Sequence, residues 1–106
     1  MQKILATCTL VALYATAALA ANAKAGQGIY DKSCKSCHGA DGTPNAAVAK
    51  MMKVEMKDLK SSEVQALGDD DMKKIITEGE GKMKPVKTVS GPALEDVIAY
   101  VRSLKK

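Results

Sequence analysis

Apolar residues along this chain recur at three- and four-residue intervals, the spacing that turns one side of a helix toward a core, and no segment alternates as a half-buried strand does. The clearest stripe is the last: Leu94, Val97, Ile98, Val101 and Leu104. Ser90 is placed to cap that helix, and Pro92 falls in its first turn, where a missing N–H loses no partner. Upstream, Met72, Ile75 and Ile76 face inward from a helix over residues 70–78 that Asp69 caps and Gly79 ends. The acidic run Asp69-Asp70-Asp71 suits the positive end of that helix. A single turn capped by Ser61 or Ser62 runs to Leu67, and residues 46–52 form a helix with Val48, Met51, Met52 and Met56 on its apolar face. Ile29 and Tyr30 anchor a first helix that begins near Gly26 and runs on through Cys34 and Cys37. Residues 39–45 and 79–85 are dense in Gly, Pro, Asn and Asp and read as loops. The pattern predicts one all-α domain whose N-terminal and C-terminal helices cross.

The N-terminus has a different character. Lys3 gives a positive start, residues 4–19 are apolar and small residues follow, so residues 1–23 read as a cleaved secretory leader. Both Ala18-Leu19-Ala20 and Ala21-Asn22-Ala23 fit the small-x-small rule, which places cleavage after Ala20 or Ala23. The apolar run is shorter than the ~20 residues of a spanning helix and rich in Ala and Thr, so no stable membrane insertion is expected after cleavage. Residues 24–106, 83 in all, then form the domain, with Tyr30 and Tyr100 its only aromatics. Such a chain is too small to bury a generous core without a staple. Its 15 basic and 12 acidic residues are too nearly balanced to argue for nucleic acid, and it has no aromatic stacking platform.

The chemistry concentrates in Cys34-Lys35-Ser36-Cys37-His38. Cys-x-x-Cys-His is the attachment sequence of a c-type haem, because residues three and four apart share a helix face and turn both thiols and the imidazole the same way. A zinc site needs four Cys or His ligands, or three and a water, and His38 is the only histidine in the chain. A thioredoxin-like dithiol belongs in a βαβ pattern that this chain lacks. A disulfide between Cys34 and Cys37 would close a ring too short to constrain the unfolded chain. The loop after His38 offers carbonyls, Pro44 among them, to accept the second imidazole proton and fix the ring.

With Gly26 and Tyr30 ahead of the motif, Gly39, Asp41 and Gly42 after it, and Val97 and Tyr100 in the last helix, the chain resembles the class I cytochromes c. Within that family it is most similar to the small single-haem bacterial, c6-like or c5-like branch. The resemblance implies three to five helices around one covalent haem c, attached at Cys34 and Cys37. It implies His38 and Met83 as the iron's axial ligands, Met83 lying in the loop before the last helix. Lys84 separates Met83 from Pro85, where similar sequences run directly from Met to Pro. The implied protein is not an enzyme but a periplasmic carrier of single electrons between redox partner proteins. Lys35, Lys82, Lys84 and Lys87 would steer partners with acidic docking surfaces. If Met83 did not reach the iron, a five-coordinate haem enzyme or gas sensor would follow; a dithiol redox protein is the remaining alternative.

Overall fold

A computed structural model of the protein describes residues 21–104, so the part of the expected leader before Ala21 lies outside the described residues. These residues form six helices: α1 (Ala23–Ser33), α2 (Lys35–His38), α3 (Ala46–Met52), α4 (Ser62–Gln65), α5 (Asp69–Glu78) and α6 (Pro92–Ser103). Among the described residues there is no strand, only an isolated bridge between Glu80 and Met83, and no helix is long and apolar enough to cross a membrane.

Asn22 begins α1: its side chain accepts from the Lys24 and Ala25 amides at 3.0 and 3.1 Å, covering two donors that have no partner inside the helix. Its own amide donates to Asp96 Oδ1 at 2.8 Å and so ties the start of α1 to α6. The first helix does not run on through the cysteines as the sequence predicts. Cys34, at φ −124° and ψ −34°, leaves the helical region, and one further turn, α2, closes at Gly39. This break divides the expected first helix in two and gives six helices, one more than the upper end of the expected three to five.

Two expected caps are displaced by one residue. Gly68, not Asp69, precedes α5, because the Asp69 carboxylate is engaged by Arg102 at 2.8 Å. Gly91, not Ser90, precedes α6; its φ of 58° is a turn conformation a glycine adopts without strain, and Pro92 follows at the helix start. Ser61 caps α4 as expected, through the Val64 amide.

The crossing of α1 and α6 organises the molecule. A Cβ on Gly26 would collide with the Asp96 carbonyl and lie 2.9 Å from Val97 N, so only glycine lets the two backbones approach this closely. Around the crossing lie the buried residues Tyr30, Val64, Met72, Val89, Leu94, Val97, Ile98 and Val101. Four of the five stripe residues read from the last helix are in that set. By contrast α3 buries nothing, and Met51 is 75 % exposed, so its expected apolar face is not packed on this core.

Lys53 ends α3 at φ 54°, the one left-handed non-glycine among the described residues. That conformation costs an L-residue about 1–2 kcal/mol, and glycine's greater freedom in the unfolded chain offsets part of the relief. Lys53→Gly is therefore expected to stabilise the protein by roughly 0.5–1 kcal/mol, measured by denaturant unfolding.

Candidate haem site

Cys34, Cys37 and His38 come together at the α1–α2 break. The Cys34 carbonyl accepts from both the Cys37 and His38 amides, at 3.2 and 2.9 Å, so a single turn carries all three side chains. Cys34 packs against the core, and burial pushes its thiol up to about 11. A thiol held protonated is a poor redox nucleophile.

His38 is half-buried, and burial holds its imidazole below the ordinary histidine range, in the neutral form that binds a metal. Its Nδ1 is sealed from solvent and has no hydrogen-bond partner. The expected bond to a loop carbonyl such as Pro44 is thus not made, because that loop is tied elsewhere. Asp41 accepts from the Thr43 amide at 3.0 Å, and this bond holds its carboxyl below the usual range. Leu59 N donates to the Gly42 carbonyl at 3.0 Å, and Lys60 Nζ reaches Thr43 Oγ1 at 2.5 Å.

Asn45 closes the other end of the loop. It caps α3, its amide donates to the Cys37 carbonyl at 2.9 Å, and its Nδ2 donates to the Ser36 carbonyl at 3.2 Å. Asn45 reads from sequence only as a turn former, although an Asn directly before a helical run is a cap signature. Lys60, a surface lysine by composition, carries no comparable signal.

Met83 stands in a separate, well-defined turn. Glu80 and Met83 exchange two backbone bonds, 3.1 and 2.9 Å, across Gly81 and Lys82. Positive φ at Gly81 alone is the sign of a type II′ turn, a specific geometry within what reads from sequence only as a loop. Gly79 lets the chain after Met83 pass close to the end of α5. A Cβ there would lie 2.5 Å from the Met83 carbonyl and 3.0 Å from Pro85. Val86 N then donates to the Ile76 carbonyl at 2.8 Å and returns the chain to α5. Met83 is half-buried and lies outside the core cluster.

Two clefts, of about 510 and 450 Å³, open elsewhere, one beside Asp69, Lys73, Glu95 and Arg102, the other beside Glu55, Met56 and Glu63. Neither wall includes Cys34, Cys37, His38 or Met83, so the donor set and not cavity size marks the site. Two thiols and a neutral imidazole with an unpaired buried nitrogen, all on one turn, suit a haem c.

The sequence of residues 21–101 matches the family model described as cytochrome c oxidase, cbb3-type, subunit III. The chain belongs to this c-type cytochrome family. Among solved structures, it is similar to the KustC0563 c-type cytochrome, with 30 % identity and a TM-score of 0.65 over 76 % of this chain and 98 % of that one. Comparison with curated proteins gives no match. As a c-type cytochrome, the protein is an electron-transfer haem protein with a covalently bound haem c and its iron. The all-α fold read from the hydrophobic pattern is the small cytochrome c fold.

Proposed function

We propose that this cytochrome moves one electron at a time between redox partner proteins in the periplasm and is not an enzyme. In this reading its haem is joined to Cys34 and Cys37 and ligated by His38 and Met83. The observation that carries the reading is the single turn holding Cys34, Cys37 and a neutral, half-buried His38. Bound haem supplies a one-electron ferric–ferrous couple. The two cysteines anchor its edge, and α1 and α2 set the direction from which His38 approaches. Met83 would hold the iron through a neutral thioether, which favours the ferrous state, and would leave no open position for oxygen or peroxide.

Residues 1–20 act as the leader in this reading, with cleavage after Ala20. Cleavage after Ala23 would remove Asn22, and with it the α1 cap and the bond to Asp96. The intact mass of the exported protein is expected to equal residues 21–106 plus one haem, with an oxidised spectrum that is low-spin and shows a sulfur-to-iron charge-transfer band. A high-spin spectrum with ready carbon monoxide binding would instead indicate the five-coordinate enzyme or sensor. An apo mass with a reversible dithiol would remove the haem reading altogether.

Lys82 and Lys84, in the ligand turn, and Lys35, inside the attachment motif, are all exposed. They form the basic rim that guides acidic partners toward the haem edge. Electron exchange with such a partner is expected to slow as ionic strength rises and screening shortens. A rate independent of salt would remove the steering role and leave the carrier role intact.

A further inference from the structure

The segment directly after His38 is held by two phenols from two different helices. Tyr30, on α1 and 0 % exposed, donates its hydroxyl to the Gly39 carbonyl at 2.6 Å. Tyr100, on α6, donates to the next carbonyl, Ala40, at 3.4 Å. The two rings lie 5.0 Å apart at 57°, one tilted aromatic pair at the helix crossing. Phenylalanine at both positions would fill the same volume. A fully buried hydroxyl is costly unless it is bonded, so its presence at Tyr30 has to be explained by the group it bonds.

That group belongs to the first residue after the imidazole. Gly39 turns the chain at φ 76° and ψ 166°, and a Cβ there would run into the Thr43 carbonyl, so the segment folds tightly back on itself. Fixing the Gly39 carbonyl fixes the direction in which the chain leaves His38. On the preceding side, Asn45 holds the Ser36 and Cys37 carbonyls. The carbonyls on both sides of His38 are thus held, and with them the backbone from which its imidazole projects.

We propose that Tyr30 and, more weakly, Tyr100 are positioning residues for the proximal imidazole, acting through the Gly39 and Ala40 carbonyls. The proposal rests on the reading of His38 as the iron's ligand. It is tested on the holoprotein with Tyr30→Phe, Tyr100→Phe and the double variant, all of which keep the packed rings. Three quantities are read: the paramagnetically shifted His38 ring resonances of the ferric protein, the reduction potential, and amide exchange over residues 39–43. Tyr30→Phe is expected to move the ring resonances and the potential, and to speed exchange in that loop about tenfold, the equivalent of one lost hydrogen bond. Tyr100→Phe should do the same to a smaller extent, because a 3.4 Å bond is weak. A lowered melting temperature with unchanged His38 resonances and potential would overturn the proposal and leave the phenols merely structural. Failure of the underlying reading looks different: the wild-type protein itself would then show no iron-shifted His38 resonances.

Discussion

Met83→Ala is expected to abolish the sulfur-to-iron charge-transfer band, turn the ferric spectrum high-spin, open the iron to carbon monoxide and lower the reduction potential. Under the proposed ligation, Met83 is the only group holding the second axial position, and alanine brings no donor. The turn around it is closed by backbone bonds between Glu80 and Met83 and by the Val86–Ile76 bond, none of which uses the Met83 side chain. The loop should therefore survive the substitution. Met72→Ala is the matched comparison. Met72 is only 6 % exposed and belongs to the core cluster, so its truncation should cost about 2–5 kcal/mol of stability. It should leave the charge-transfer band in place. Spectra and denaturant melts of the two variants thus separate a methionine that fills space from one that binds iron. Persistence of the band in Met83→Ala would transfer the ligand role to Met51, Met52 or Met56.

The second large effect concerns two glycines on one helix. Gly26→Ala is expected to destabilise the protein by about 3 kcal/mol or more, because its methyl would occupy the space of the Asp96 carbonyl and force α1 away from α6. Neither partner is the flexible end of a side chain; both are backbone inside helices. For a domain of this size that corresponds to a fall of roughly 10–20 °C in melting temperature. Gly28→Ala, two residues along the same helix, meets nothing within 4 Å and lies on the exposed face. It should stabilise the protein by up to about 1 kcal/mol through helix propensity alone. If both variants lost stability to the same degree, the close approach would not be what glycine supplies at position 26.

These variants show where the sequence was legible. The α6 stripe could be read because its apolar spacing is local and repeats along one helix, and Leu94, Val97, Ile98 and Val101 are buried as that spacing requires. The α1 break could not, because Cys34 leaves the helical region in a stretch that contains neither Gly nor Pro to announce it. The caps of α5 and α6 were each misplaced by one residue. A cap depends on which partner a side chain finds, and Asp69 finds Arg102, 33 positions away. The same holds for the loop after His38. Its turn residues were visible, but Lys60, Leu59 and the two phenols that hold it come from other parts of the chain.

By itself, the amino-acid sequence determined the helical class, the core face of α6 and the Cys34–His38 donor set, since each depends on spacing within a few consecutive residues. Only the tertiary structure decided how near α1 comes to α6 at Gly26, what restrains the chain beyond His38, and how the Met83 turn is tied back to α5. Those are contacts between segments far apart along the chain, and their geometry is set by the packing of whole helices.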